Sequence, residues 1–210
     1  MSHQDPNALG IDVSHFEGAV DWSHVLASGM SFGFTKATEG LHMVDAEFAD
    51  NWQNMASVGI TRGTYHFFHG NESGAAQAEF FLASIKAAGG SLATDMPPVL
   101  DVEVSDGADR DSYTTEIKAW INTVREATRK TPILYGSASF LDVNTLPQFG
   151  DLPLWVAHYT LAPQPRVPQG WDSWTFWQYT DRLNVLGVPT TTDANRYDGP
   201  HADLINRFGL

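Results

Sequence analysis

Short apolar runs rich in β-branched and aromatic residues recur along the whole chain, and most of them precede a helix-like segment. Eight such runs lie at residues 9–14, 32–37, 63–68, 98–103, 132–136, 154–159, 175–180 and 192–197. Strands that alternate with helices are joined by crossover connections, which make neighbouring strands parallel. The alternation therefore predicts an α/β fold, and about eight strands indicate a (β/α) barrel.

Apolar residues at helical spacing predict three helices, all in the first two-thirds of the chain. The first lies between a capping Asp45 and Gly59 and carries the apolar residues Phe48, Trp52 and Met55. The second lies within residues 73–90, and the third carries the stripe Ile117, Trp120, Ile121 and Val124. The last strands are thus expected to lack full helices, and the proline-rich residues 160–173 to form an irregular loop.

The composition suits one globular domain with a sizeable core. The chain has 210 residues, of which 42% are apolar, and it contains no internal repeat or low-complexity linker. We expect residues 1–8 to form an N-terminal extension and residues 9–210 to form a single barrel domain. The net charge of −13 argues against a nucleic-acid-binding protein, which needs a basic patch, and against docking on an anionic membrane surface.

The N-terminal segment has no lysine or arginine before Lys36 and no apolar core, so we expect neither a signal peptide nor a membrane anchor there. No stretch of the sequence is long and apolar enough to cross a bilayer. The absence of cysteine excludes a disulfide scaffold and thiolate chemistry, although it does not fix the compartment.

Polar residues follow the predicted strands where a (β/α) barrel carries its active site, at the carboxyl ends. Carboxyl groups occur at the ends of the first and fourth runs, in Asp12, Asp101 and Glu103, and the last run carries Asp193. Because side chains two apart in a strand share a face, Asp101 and Glu103 should point to the same place. Further candidate site residues at the strand ends are Lys36, Tyr65, Tyr135, Trp155, Tyr159, Trp177 and Gln178.

A cluster of acids suits three interpretations. Glycoside hydrolysis needs one protonated carboxyl group and one ionised partner. A hard metal ion would also take oxygen ligands, and acids at strand ends also serve as helix caps. Four of the seven tryptophans lie between residues 155 and 177, and aromatic rings favour sugar binding, although core packing explains many aromatics. The histidines show no ligand-like spacing, so we expect no metal and no cofactor.

Nine stretches of the chain, taken in order, carry a family resemblance. They are GIDVSHFEGAVDW (10–22), FTKATEG (34–40), RGTYHFF (62–68), AAQAEFF (75–81), PVLDVE (98–103), ILYGSASF (133–140), LWVAHY (154–159), WTFWQYT (174–180) and TDANRYDG (192–199). The ordered set resembles the glycoside hydrolase family 25 lysozymes, the N-acetylmuramidases of the Chalaropsis type. No single motif would be specific, but together they span nearly the whole chain.

The resemblance implies a flattened TIM-like (β/α) barrel with eight strands and about five helices. It implies hydrolysis of peptidoglycan at the β-1,4 bond between N-acetylmuramic acid and N-acetylglucosamine. The expected partner is thus the glycan strand of peptidoglycan. Independently of the resemblance, we expect a monomer, and we expect it to be secreted or to act at the cell wall by an export route that the sequence does not identify. Two alternatives stay open, namely a hydrolase of another N-acetylated polysaccharide such as chitin, and a non-catalytic glycan-binding module on the same fold.

The resemblance also assigns roles to residues of this sequence. Glu103 corresponds to the general acid, and Asp101 to the carboxylate that stabilises or positions the reacting sugar. Asp12 and Asp193 correspond to acids that line the site, while Lys36 and Gln178 are expected polar contacts. Residues expected to shape the sugar groove are Tyr65, Phe67, Tyr135, Trp155, Tyr159 and Trp177.

Two acids aimed at one place make it costly to ionise both, so at least one pKa must rise. We predict that Glu103 has the highest pKa of the four acids, which would keep it protonated near neutral pH. The sequence departs from the family pattern at Tyr197, where phenylalanine is commoner, and at Glu17 near the mouth, where a neutral polar residue is common. Neither departure touches the four acids.

Overall fold

The computed structural model describes residues 7–90, 92–144 and 147–210. Within them, nine strands form one sheet: β1 (Leu9–Val13), β2 (Phe32–Glu39), β3 (Met43–Val44), β4 (Thr61–Phe67), β5 (Val99–Asp101), β6 (Ile133–Ser137), β7 (Leu154–Ala157), β8 (Phe176–Asn184) and β9 (Thr191–Tyr197). Six α-helices accompany them: α1 (Trp22–Ala27), α2 (Phe48–Val58), α3 (Gly74–Ala87), α4 (Arg110–Thr128), α5 (Ala138–Val143) and α6 (His201–Phe208). Two 3-10 turns lie at His15–Glu17 and Pro147–Phe149.

Eight of these strands close into a barrel in the order β1-β9-β8-β7-β6-β5-β4-β2, with β2 pairing back to β1. The six strands from β2 to β8 in the barrel are parallel, as is the β1–β2 pair that closes it. Strand β9 runs antiparallel between β8 and β1, and the short β3 pairs antiparallel with β2 outside the barrel. The predicted eight-stranded α/β barrel is confirmed, with six α-helices rather than about five.

No helix lies between β8 and β9, because a hairpin joins these two strands. Strands β8 and β9 are connected by the turn at residues 185–190, so the final crossover is replaced by direct antiparallel pairing. Strands β7 and β8 therefore lack helices as predicted, but β9 is followed by α6, a helix that the periodicity did not predict. Residues 160–173 contain no helix or strand, as the prolines predict.

The predicted helical stripes pack against the outside of the barrel. Phe48, Trp52 and Met55 of α2 are buried, as are Ile117, Trp120, Ile121 and Val124 of α4. Gly59 ends α2 in the left-handed conformation, and Ser73 caps α3 as expected. Asp45 does not cap α2, which begins at Phe48; its buried carboxylate instead contacts the ring of His15.

The barrel interior changes from apolar to polar along each strand, because alternate residues face inward. In β2, Phe32 and Phe34 face the interior core before Lys36 reaches the upper end, and in β1 Gly10 precedes Asp12. The lower interior is filled by packed rings, with the centroids of Phe34 and Trp155 4.4 Å apart. Among the described residues, the filled lower half of the barrel interior leaves its open space at the carboxyl ends of the parallel strands.

The lower end of the barrel is closed by α6 and the first described residues. Leu204 of α6 is fully buried in the interior core, and the ring of Phe208 stacks on Phe176. Ala8 donates its N–H to the carbonyl of Gly199, next to the end of β9. Residues 1–6 of the expected extension lie outside the described residues. Among the residues that the structure describes, no helix is long and apolar enough to span a membrane.

Candidate active site

A pocket of about 670 Å³, which includes space open to solvent, lies at the carboxyl ends of the parallel strands. Its walls come from β1, β2, β4, β6, β7, β8 and β9 and from the end of β5. The lining residues are Asp12, Val13, Ser14, Phe16, Glu17, Lys36, Tyr65, Phe67, Asp101, Glu103, Tyr135, Trp155, Gln178 and Asp193. All four predicted acids therefore face one pocket.

Asp101 and Glu103 meet in the pocket at different depths. The strand predicted to reach residue 103 ends at Asp101, whose carbonyl accepts the N–H of Phe68. The Asp101 carboxyl is 5% exposed, whereas Glu103 lies beyond the strand and is exposed. The chain thus places one acid at the bottom of the pocket and the other near its mouth.

These two acids titrate as an interacting pair. Burial, and then repulsion from Glu103, raises the pKa of Asp101 well above its ordinary value. Burial also raises the pKa of Glu103, but the nearby Lys36 ammonium opposes that rise. At least one proton is therefore held between the two carboxyl groups above the pH at which free acids ionise.

Asp12 and Asp193 face each other across the β1–β9 ladder, where they are directly paired. Burial raises the pKa of Asp12 to about 6, while hydrogen bonds from Asn195 and Gln178 hold it down. Burial and the Asp12 charge raise the pKa of Asp193 to about 9. The prediction that Glu103 has the highest pKa of the four is therefore wrong, because Asp101 is more deeply buried and Asp193 has no comparable donors to its carboxylate among the described residues.

Gln178 orients the polar groups of the pocket wall. Its Oε1 accepts hydrogen bonds from the hydroxyls of Tyr135 and Tyr159, both at 2.8 Å. Its Nε2 must then point the other way, and it donates to Asp12. Asn195 acts similarly, since its Nδ2 donates to Asp12 and its Oδ1 accepts from Trp155.

Lys36 supplies a buried positive charge at the pocket wall. Its Nζ donates to Glu39 Oε2 at 2.6 Å and lies 4.9 Å from the centre of the Phe67 ring. Glu39 Oε1 lies 3.2 Å from His69 Nε2, and Asp106 Oδ2 lies 3.0 Å from the other ring nitrogen of His69. A chain of alternating charges therefore leads from the pocket to the surface.

Ten of the twelve predicted site residues line the pocket, and two do not. Tyr159 is 51% exposed and reaches the site through its hydrogen bond with Gln178. Trp177 was expected to shape the sugar groove, but it is buried in the outer core beside Trp174 and donates its Nε1–H to the carbonyl of His158. The reason is strand alternation: Gln178 faces the pocket, so its neighbour in β8 must face outward.

The sequence reasoning missed part of the rim. Val13, Ser14 and Phe16 line the pocket together with Glu17, whose position near the mouth is as expected. Phe16 is 75% exposed, an unusual place for a large aromatic ring. The sequence does contain a signal for Phe16, because this residue lies in the stretch that directly follows Asp12 and the first strand.

Comparison with known proteins identifies the family of the chain. The family model for glycosyl hydrolases family 25 matches residues 11–188. This range includes Asp12, Asp101 and Glu103 and ends before Asp193. The chain belongs to glycosyl hydrolase family 25. It is therefore a glycosidase, as the ordered motifs indicate.

Relatives within family 25 cover most of the chain. Lysozyme M1 of Streptomyces globisporus is 38% identical over 209 residues, which are 93% of this chain and 69% of that protein. The N,O-diacetylmuramidase of Chalaropsis sp. is 29% identical and covers 82% of this chain and 87% of its own. The crystal structure of the bacterial lysozyme from Streptomyces coelicolor superposes with a TM-score of 0.88 at 33% identity and covers 98% of each chain.

Proposed function

We propose that this family 25 glycosidase is a lysozyme that hydrolyses peptidoglycan at the β-1,4 bond between N-acetylmuramic acid and N-acetylglucosamine. The observation that carries the proposal is the pair Asp101 and Glu103, two interacting carboxyl groups at different depths of one pocket. One proton shared by two carboxyl groups supplies both the acid and the negative charge that glycoside hydrolysis requires.

Glu103 acts as the general acid in this proposal. It lies near the mouth of the pocket, where a glycosidic oxygen has access, and its raised pKa favours the protonated form. Transfer of its proton to that oxygen lets the bond to the anomeric carbon break, and the leaving sugar departs as an alcohol. A water molecule then adds to the anomeric carbon, and the proton that it loses restores the protonated form of Glu103, which completes hydrolysis.

Burial favours the protonated form of Asp101 in the empty pocket, but the positive charge that develops on the reacting sugar favours its ionised form, and in that form Asp101 stabilises the charge. Its carboxyl lies at the bottom of the pocket, and none of the described residues donates a hydrogen bond to its Oδ1. As Glu103 gives up its proton, Lys36 limits the build-up of negative charge around both acids. Asp12 and Asp193 complete the acidic wall, and Gln178 fixes the position of Asp12.

The remaining parts of the pocket suit a glycan strand. Tyr65, Phe67, Tyr135 and Trp155 give its walls aromatic surface, which suits the C–H faces of sugar rings. Because the substrate is a wall polymer, we propose that the enzyme acts at the cell wall.

The test is release of reducing ends from purified peptidoglycan, with product masses, by the wild type and by Glu103→Gln. The wild type should release fragments that end in muramic acid, and Glu103→Gln should lose at least about 100-fold in rate. Glu126→Gln, an exposed change on α4, is the matched control and should keep full activity. A wild type that cleaves chitin oligomers but not peptidoglycan would refute the substrate, and an active Glu103→Gln would refute the acid assignment.

A further inference from the structure

The exposed ring at the rim of the pocket has no role in the proposed chemistry. Of the five aromatic residues that line the pocket, Phe16 is the one with a mostly exposed side chain, at 75%. Tyr135 and Trp155 are buried in the barrel interior, and Tyr65 and Phe67 are half-buried. A single exposed apolar residue is ordinary on a protein surface, so its meaning depends on how it is held.

The backbone of Phe16 is fixed by a capped 3-10 turn. The Ser14 hydroxyl accepts the N–H of Phe16 at 3.3 Å, and Glu17 Oε2 accepts the N–H of Ser14 at 2.8 Å. These reciprocal bonds form a capping box over the turn His15–Glu17. Gly18 follows with a φ of 69°, which releases the chain from the turn.

The ring of Phe16 is also supported from behind. The His15 ring lies against it, with the two centroids 4.1 Å apart. Asp45, whose side chain is fully buried, holds His15 through its Nδ1 at 2.7 Å and through its backbone N–H at 3.1 Å. Phe16 is thus an apolar ring presented to solvent by a supported turn, so little conformational entropy remains to be lost when a ligand stacks on it.

The ligand chemistry that matches such a ring is the flat C–H face of a pyranose. The ring has no hydrogen-bonding group, so it favours a ligand face that is itself apolar. In β-linked sugars the polar groups project around the ring edge, where Glu17 and Asp193 offer acceptors on the same rim.

We propose that Phe16 is a sugar-binding platform, on which a pyranose ring of the glycan strand stacks next to the acidic pocket. This inference rests on the proposed function, because it deepens the substrate recognition of the same site. Phe16 contributes binding of the strand and takes no part in proton transfer. Its loss should therefore raise KM and leave kcat nearly unchanged.

The test measures kcat and KM on soluble peptidoglycan oligomers for wild type, Phe16→Ala, Phe16→Leu and Phe16→Trp. Loss of a stacking contact should raise KM about 5- to 10-fold in Phe16→Ala. The KM of Phe16→Leu should also exceed that of wild type, because leucine is apolar but has no flat ring. The KM of Phe16→Trp should equal that of wild type. Val143→Ala removes a side chain with the same 75% exposure on α5 and should behave as wild type.

The outcomes separate this inference from the proposed function. If wild type cleaves the oligomers and Phe16→Ala has the KM of Val143→Ala, the platform is refuted and the lysozyme proposal stands. If Phe16→Leu binds as well as wild type, the contact is apolar but not a stacking platform, and the inference is likewise overturned. If wild type cleaves no peptidoglycan oligomer, the proposed function itself fails. Thermal unfolding of each variant checks that the fold is retained.

Discussion

The side-chain amide nitrogen of Gln178 lies within hydrogen-bond distance of both carboxylate oxygens of Asp12, at 3.2 and 3.0 Å. The orientation of this amide is set by the two tyrosine hydroxyls that donate to its oxygen. Asn195 donates a further hydrogen bond to Asp12 at 2.7 Å. These amide donors favour the ionised carboxylate and oppose the effect of burial. Gln178 and Asn195 therefore lower the pKa that Asp12 would have from burial alone.

Replacing Gln178 by leucine should raise the pKa of Asp12 above about 6, since it removes one donor to the carboxylate while burial remains. The measurement is a carbon-13 NMR titration of aspartate-labelled protein, in which Asp12→Asn assigns the signal. Gln169→Leu, at an exposed position, should leave the titration unchanged. An Asp12 midpoint that stays at its wild-type value in Gln178→Leu would contradict the role given to the amide.

Asp193 should make the protein less stable as the pH rises. Its pKa of about 9 in the folded state exceeds the ordinary 3.8, so between these values the folded chain holds a proton that the unfolded chain releases. The free energy of unfolding must then fall with rising pH over that window. Asp193→Asn, which carries no charge, should flatten this fall in urea unfolding measured from about pH 5 to pH 8. Asp198→Asn, at an exposed position nearby, should keep the wild-type slope, and an unchanged slope in Asp193→Asn would refute the prediction.

His69 should have the opposite dependence on pH. Burial alone would lower its pKa, but hydrogen bonds and charges of Glu39 and Asp106 outweigh burial and raise it. A histidine whose pKa is raised on folding contributes to the free energy of unfolding. The contribution is fully present at pH values below the pKa of the unfolded state, about 6.5, and is lost as the pH rises through the pKa of the folded state. His69→Gln should therefore lower the melting temperature most at about pH 5.5 and least at about pH 9.

The matched control for His69 is His42→Gln, which changes an exposed histidine on the loop after β2. It should shift the melting temperature equally little at both pH values. A His69→Gln difference that grows toward alkaline pH would mean that the two carboxylates do not hold the protonated ring.

Gly63→Ala should destabilise the barrel by about 1–3 kcal/mol through overpacking. A Cβ at this position would lie 2.4 Å from the ring of Phe34 and 3.0 Å from the end of Met96, inside the filled lower half of the barrel. Urea unfolding measures the cost. The double variant with Phe34→Leu should lose less stability than the sum of the two single changes, because removal of the ring makes room for the methyl group. Strict additivity would argue against the clash.

The barrel, and the position of the acids together at one end of it, could be predicted because both depend on local periodicity of apolar and polar residues. Period two in the strands and the carboxyl-end rule together place Asp12, Asp101 and Lys36 in one pocket. The same alternation, applied within β8, would have excluded Trp177 once Gln178 was assigned to the site. Short helices such as α1 and α5, with six residues each, were missed because they show less than two turns of periodicity.

The charge state of the pocket could not be predicted in the same way. It depends on the depth at which each acid lies and on donors far away in sequence, such as Asn195 for Asp12. The end of β5 at Asp101, rather than at residue 103, also decides which of the paired acids is buried. These features arise from strand pairing between distant segments, which local sequence patterns do not encode.

Both described ends of the chain lie at the closed lower end of the barrel, where Ala8 pairs with Gly199 and α6 seals the interior core. The pocket opens at the opposite end. A polypeptide joined to Leu210 would therefore leave the molecule on the face turned away from the pocket. The barrel is built so that it can be tethered, to a second module or to a solid support, without obstruction of its working face.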